Sequence, residues 1–443
     1  MQLIDKDLLS MQEVRELVEA AKEAQQELAR MDQAQVDRIV RAIADAGVRN
    51  ARRLAQMANE DTGFGIVDDK VIKNIFASRG VYEHIKDMKT IGEISRDDAK
   101  RLRTIAVPVG VIAGLIPSTN PTSTALYKAE IAIKAGNAIV FSPHPTALRC
   151  ILETVKVIRQ AVAEAGGNEN LVSCITIPTM EATDNLMRHR DVAMILATGG
   201  SAMVRAAYSS GTPAIGVGPG NGPAYLEKTC DLPLAVKRIL DSKTFDNGTI
   251  CASEQSIICD DDMVPAVKAE MERQGAYFLD DEEREKLGRF ILRANGTMNP
   301  EIVGRSVATI AKLAGLDRVP ATARVLVAKE TGVGRGHPYS NEKLGPILAF
   351  YTAENYEKVC EKVCEILHYE GAGHTFSMHT NDDKMVDYFA RRVPASRVMV
   401  NTPSALGGIG GTTALQPALT LGCGAVGGSA TSVSYTHLRA HET

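Results

Sequence analysis

A chain of 443 residues, 44% hydrophobic and 23% charged, has the composition of a globular protein and the length of two or three domains. Its net charge of −4, from 50 basic and 54 acidic side chains without a long basic run, weighs against nucleic acid as the main partner. No apolar stretch reaches the length of a membrane span, no signal-peptide pattern opens the chain, and the eight cysteines include no Cys-x-x-Cys pair. These features read as a reduced, cytoplasmic chain with no metal site and no membrane partner.

Apolar residues recur at helical spacing over 9–47 (Leu9, Val14, Leu17, Val18, then Val36, Ile39, Val40, Ile43), with Ser10 and Glu13 resembling a capping box. The stripe suits packing on the body of the protein better than docking a partner. A second helical run, Val67 to Ile85, follows the turn signal DTGFG. Residues 89–107 then read as a polar-tipped hairpin that leaves the body as an arm. From Val111 strands (111–116, 138–141, 172–177, 192–197, 214–217) alternate with helices (123–135, 146–165, 181–189, 201–208). Short continuous apolar strands between helices imply a parallel sheet covered on both faces, Rossmann-like and doubly wound. In that architecture the ligand lies beyond the carboxyl ends of the strands. Those ends are small and rich in Gly, Ser and Thr: Pro117-Ser118-Thr119-Asn120-Pro121, Ser142 to Pro145, Thr198 to Ser201 and Gly218 to Asn221. GVGPGNG at 216–222 is late and mis-spaced for a dinucleotide fingerprint.

Residues 223–400 form a second α/β unit, with helices at 232–240, 263–274, 356–369 and 382–391, strands at 255–259, 324–328, 375–378 and 397–400, and a loop at 341–346. Residues 404–430, almost all small and without periodicity, read as irregular or extended. Within the second unit lies Lys243 to Ile258, KTFDNGTICASEQSII. Asp246 to Gly248 supply turn chemistry, and an apolar strand follows Cys251. A thiol on a tight loop leading into a strand is held in one place, as nucleophilic catalysis requires. The same window also suits a buried structural cysteine, and the residues alone leave both open.

Seven motifs bring the chain to a resemblance: PSTNPTSTA (117–125), SPHP (142–145), ATGGSAMVRAAYSSGTPAIGVGPGN (197–221), FDNGTICASEQS (245–256), EKLGPIL (342–348), YEGAGHT (369–375) and VNTPSALGGIG (400–410). Over residues 9–430 the chain resembles the aldehyde dehydrogenase superfamily and, within it, the CoA-acylating branch. That branch includes the N-terminal half of bifunctional aldehyde–alcohol dehydrogenases and the stand-alone enzymes of bacterial microcompartments. The resemblance implies an α/β fold of two doubly wound domains with a β-hairpin oligomerisation arm. Residues 1–88 and 108–222 would bind NAD, 89–107 would be the arm, 223–403 the catalytic domain and 404–432 a C-terminal oligomerisation segment. Residues 433–443 (VSYTHLRAHET after Ser432) depart from the family pattern and read as a non-native tail, left out of the fold reasoning.

The resemblance also assigns roles. Cys251 would attack the aldehyde. Asn120, with a backbone N–H at the cysteine, would stabilise the oxyanion. Hydride would pass to nicotinamide and leave a thioester. Glu342 would hold the nicotinamide ribose, Pro117, Ser118 and Thr119 would border the cofactor, Gly200 and Gly218 would let the dinucleotide approach the backbone, and His144 would meet the adenosine end. His374 would assist proton transfer near the cysteine. Read without the family, His144 is equally a turn histidine, His374 a satisfied core histidine and Glu342 a solvated surface acid.

Hydrolytic members of the superfamily carry a glutamate before the cysteine, in an E-L-G-G-K context, as the base for water. Here that window is GVGPGNG, without a carboxylate. A thiol such as coenzyme A needs less help, so transfer to CoA is the expectation, with acetaldehyde or another short aldehyde as substrate. Three alternatives stand beside it: a hydrolytic dehydrogenase, a glutamyl-phosphate-reductase-like enzyme, and a scaffold or cargo role. The resemblance further implies a homodimer or homotetramer with exchanged arms, and enclosure in a microcompartment shell.

Overall fold

In the computed structural model, which describes residues 5–293, 296–421 and the backbone of 439–442, the chain opens with two helices, Lys6–Leu28 and Gln33–Thr62. The sequence periodicity over 9–47 spans a break that it did not mark. At that break Asp32 accepts the Gln35 N–H and the Gln35 side chain accepts the Asp32 N–H, a reciprocal cap that starts the second helix. Ser10 and Glu13 are not such a box. Asp5 caps the first helix, accepting from the N–H groups of Asp7 and Leu8. Ser10 is buried against Thr179, and Glu13 takes the backbone N–H groups of Thr176 and Ile177. The stripe Val14, Val18, Ala21 and Leu28 is buried in the core of the first unit. The helix expected over 67–85 is three pieces: Val67–Ile75, a π turn at Phe76–Gly80, and Val81–Ile85.

Strands β1 (Gly92–Asp97) and β2 (Leu102–Pro108) pair antiparallel as the arm. The backbone of Arg439–Glu442 lies antiparallel along β2. The remainder of the 433–443 tail and residues 422–432 of the C-terminal segment fall outside the described residues. The part of that segment that is described begins with a short helix, Ser404–Gly408, rather than extended chain.

β3 (Val111–Ile116), β4 (Ala138–Pro143), β5 (Val172–Cys174), β6 (Val192–Thr198) and β7 (Ala214–Val217) form a parallel sheet in the order β5-β4-β3-β6-β7. β3 and β4 are buried at every residue, as continuous apolar runs demand. From β3 the chain winds outward through β4 to β5, and later on the other side through β6 to β7. The β3–β6 boundary is therefore the switch point, and the crevice outside its carboxyl end is the place for a ligand. Helix Pro121–Lys134 leaves β3 at that crevice and is buried along its whole length. Its Lys128 donates to the carbonyls of Leu115 (2.7 Å) and Leu196 (2.8 Å), bracing the ends of β3 and β6 beneath the crevice.

β8 (Gly222–Leu226), β9 (Glu254–Asp260), β10 (Ala276–Phe278), β11 (Val325–Lys329), β12 (Ile347–Ala353), β13 (Thr375–His379) and β14 (Arg397–Val400) form a second parallel sheet, ordered β10-β11-β12-β9-β8-β13-β14. Sequence reasoning missed β8, β10, β12 and the helices Asp281–Ile291 and Val307–Ala314. β8 opens Gly-Pro, which argues against an inner strand, yet its register shifts between Gly222 and Pro223, so the ladder passes the residue that cannot donate. Its neighbours β9 and β13 are distant in sequence, so nothing local announces it. Among the described residues no helix is long and apolar enough to cross a membrane.

Phe389 locks β8 and β13 to the helix Asp383–Ala390: its ring lies 5.1 Å from that of Tyr225 and stacks at 5.6 Å on Phe376. Phe389→Ala is expected to lower unfolding free energy by about 3–5 kcal/mol, the usual result of emptying a buried aromatic site. Urea denaturation checks it, and a loss below about 1 kcal/mol would mean that the cluster does not hold these strands.

Candidate active site

The crevice beyond β3 and β6 faces the loop that precedes β9, and together they enclose a cavity of about 370 Å³. Pro117, Ser118, Thr119, Asn120, His144, Gly200, Gly218, Cys251 and Glu342 all border it. His374 does not.

Cys251 stands in a turn closed by the Ser253 N–H on the Ile250 carbonyl at 3.0 Å. Its flanking residues Ile250 and Ala252 are buried in the core of the first unit, while Cys251 itself is half-buried and in no disulfide. Upstream, Asp246, Asn247 and Gly248 take left-handed backbone angles (φ 49°, 51° and 76°), which reverses the chain sharply enough to present the loop. Gly220 packs directly behind it: a Cβ there would lie 1.9 Å from the Cys251 carbonyl oxygen.

Asn120 begins the helix Pro121–Lys134 and reaches across to the cysteine loop. Its Nδ2 donates to the Thr249 carbonyl at 3.0 Å, and its Oδ1 accepts from Lys73 Nζ at 2.7 Å. Lys73, buried on the helix Val67–Ile75, also donates to the Asp246 carboxylate and to Thr249 Oγ1 at 3.2 Å. Asp246 is fully buried and accepts further from Lys70 Nζ (3.0 Å), Thr249 Oγ1 (2.6 Å) and the Ile66 N–H (2.7 Å). Burial works to raise the Asp246 carboxyl, but Lys73 and Lys70 outweigh it and hold it below its ordinary range. Burial pushes the Lys73 ammonium down to about 8, opposed by Asp246. Sequence reasoning missed Lys70, Lys73, Asp246 and Thr249 as site residues. The FDNGT motif showed a turn, and two lysines three apart on an amphipathic helix look like a solvated face.

Glu342 is buried, not a surface acid. Its Oε1 accepts the Gly220 N–H at 2.9 Å, and burial, reinforced by nearby Glu370, raises its carboxyl to about 8. At Gly200 and Gly218 an added Cβ would meet nothing within 4 Å, so bare backbone faces the cavity. Gly200 also starts the helix Ser201–Tyr208 without a side-chain cap, leaving an anion-accepting helix end at the wall. His144, exposed at the rim, accepts the Thr146 N–H on Nδ1 at 3.2 Å. An open helix end, unshielded backbone and a buried carboxyl group able to hydrogen-bond ribose hydroxyls fit a dinucleotide in this cavity. Among the described residues no group of three or more His, Cys, Asp or Glu is placed to hold a metal ion.

His374 lies behind the Gly220 backbone, 1% exposed, with Nδ1 2.8 Å from Thr375 Oγ1. Burial, helped by the Arg397 charge, drives its pKa to about 3. Buried in this way the ring is held neutral, and it lies outside the described lining of the cavity.

Two parallel α/β units that close over a half-buried cysteine, opposite a crevice shaped for a dinucleotide, define a cysteine-bearing dehydrogenase architecture. The aldehyde dehydrogenase family profile matches residues 4–287, and the chain belongs to that family. It is 45% identical over 425 residues to the bifunctional aldehyde-alcohol dehydrogenase of Escherichia coli K12, covering 95% of this chain and 48% of the relative, so it spans about half the length of that protein. An acetylating aldehyde dehydrogenase from Geobacillus thermoglucosidasius superposes with a TM-score of 0.97 at 49% identity, over 99% of this chain and 97% of the other. A Rhodopseudomonas palustris propionaldehyde dehydrogenase, with bound CoA and an acylated cysteine, gives 0.87 at 30% identity over 97% and 96%.

Because His374 titrates near 3 in the fold and at an ordinary 6.5 outside it, its contribution to stability is fully present above 6.5 and lost as pH falls toward 3. His374→Gln should therefore shrink the difference in unfolding free energy between pH 7 and pH 5 by about 2 kcal/mol. Urea titrations at the two pH values check this; an unchanged difference would mean that the ring is protonated in the fold.

Proposed function

We propose that the chain catalyses reversible, CoA-acylating oxidation of a short aldehyde such as acetaldehyde, through a thioester on Cys251. The observation that carries this reading is the shared cavity of Cys251 and Asn120, walled by Val217, Gly218 and Pro219 where a carboxylate would be needed to activate water. The acetylating relative and the relative with bound CoA and an acylated cysteine support it.

In this reading the Cys251 thiolate attacks the carbonyl carbon, and the oxygen takes the negative charge. Asn120 Nδ2, aimed by its fixed partners, and the backbone N–H at the cysteine turn receive that charge. Both are oriented before reaction, so little reorganisation opposes the step. Nicotinamide, when bound, supplies the hydride acceptor; Gly200, Gly218 and the open helix end would seat its dinucleotide, and Glu342 its ribose. The chain then holds an acyl thioester on Cys251. The CoA thiolate adds to the acyl carbon, and the bond to Cys251 Sγ breaks to release acyl-CoA and restore the cysteine thiolate.

The two other enzymatic readings fare worse on particular residues. For a hydrolytic enzyme the 216–222 loop offers no carboxylate beside Cys251, and Glu342, the acidic side chain among the described lining residues, is the group that this reading gives to the ribose. An anionic acyl phosphate would call for a cation, but Lys73, the lining ammonium, is paired with Asp246. A homodimer or homotetramer joined through the hairpin of β1 and β2 is part of the same reading.

The test is NADH formation from acetaldehyde, with and without coenzyme A. Wild type should depend on CoA and Cys251→Ala should be inactive, while equal rates without CoA would make water the acceptor. Asn120→Ala should lower kcat roughly 100- to 1,000-fold with KM for aldehyde little changed, the pattern of a lost oxyanion donor. An unaltered kcat would remove Asn120 from the oxyanion site.

A further inference from the structure

The cavity wall holds a side chain that the reaction as written does not use. We infer that Lys73 is a positioning residue, fixing which end of the Asn120 amide faces Cys251; the inference rests on the acylating reading above.

A primary amide has two ends of nearly equal size, and rotation by half a turn exchanges donor for acceptor. At Asn120 the exchange is blocked from both sides. Lys73 Nζ, which can only donate, stands 2.7 Å from Oδ1, and the Thr249 carbonyl, which can only accept, stands 3.0 Å from Nδ2. The flipped amide would set N–H against ammonium and oxygen against oxygen. With its other proton Nδ2 donates to Thr119 Oγ1, 3.2 Å away, the contact that a developing oxyanion would replace. A cation on Oδ1 also polarises the amide and makes its N–H groups better donors.

Lys73 is itself held. Its three ammonium protons have three acceptors: Asn120 Oδ1, the Asp246 carboxylate and Thr249 Oγ1, whose own proton goes to Asp246. Asp246 cannot swing away. The Ile66 N–H holds its Oδ1 at 2.7 Å, its backbone N–H is taken by Asp69 at 2.7 Å, and Gly65 crowds it so closely that a Cβ there would lie 1.8 Å from Oδ1. The relay therefore runs from the helix Val67–Ile75 through Asp246 and Thr249 to the loop of Cys251, and sets both walls of the cavity together.

A buried ion pair that served stability alone would predict something different, and a double-mutant cycle separates the two. CoA-dependent NADH formation is compared for wild type, K73M, N120A and K73M/N120A, with thermal midpoint and the rate of Cys251 alkylation measured on each. K73M should lower kcat at least about tenfold in the wild-type background and less than about twofold in the N120A background, because an absent amide cannot be misoriented. Alkylation of Cys251, which reports on the loop that Asp246 and Thr249 hold, should change by the same factor in the two backgrounds, since that part of the relay does not run through the amide. K73Q, whose amide N–H can still donate to Asn120 Oδ1, should recover part of the loss, and it carries the same cycle if K73M does not fold. Equal losses in the two backgrounds, or an unchanged kcat in K73M, would overturn the positioning role alone. An N120A enzyme as fast as wild type would overturn the oxyanion reading and this inference with it.

Discussion

A carboxylate sealed from water must be answered by the protein, and Asp246 is that constraint here. An unpaired buried charge is destabilising by several kcal/mol, so the fold brings it two lysines, a hydroxyl and a backbone N–H. Each partner comes from an element that also builds the cavity. Lys70 and Lys73 lie on the helix after the Gly63–Gly65 turn, Thr249 on the cysteine loop, and Asn120 joins through Lys73. Satisfying one charge thus fixes the distance between the first βα loop and the loop of Cys251.

A second contact works through the backbone alone. Gly220 lies between the Cys251 carbonyl and the His374 ring, with no room for a side chain, while its N–H points to Glu342. Cysteine loop, 216–222 loop and the buried acid therefore form one stack. His374 belongs to its buried lower layer, where a neutral ring packs without the desolvation that a charged one would suffer.

The two sheets share this work unequally. The first, with its switch point at β3 and β6, makes the crevice; the second delivers the cysteine on the approach to β9. Ile250 and Ala252 sit in the core of the first unit although the strand they lead into belongs to the second, so hydrophobic burial on either side of Cys251 seats it across the boundary. The thiol stays half-exposed because its neighbours are not.

Much of this was legible in the sequence, because it is local. Continuous apolar runs separated by helical periods gave the first sheet, and small residues at strand ends gave the crevice. Nine of the ten residues singled out for the site do line one cavity, because motif residues at the ends of successive strands converge wherever a parallel sheet forms. Tertiary structure alone decided the rest. β8 is a strand because β9 and β13 supply its hydrogen bonds, against the local signal of Gly222 and Pro223. Asp246 and Lys73 are 173 residues apart in the chain, and only folding makes a turn aspartate and an amphipathic-helix lysine into an ion pair. His374 is buried behind the Gly220 backbone, outside the described cavity lining, for the same reason. A residue type states what a group can do in water, whereas burial and neighbours, which come from distant chain, set its charge and its reach.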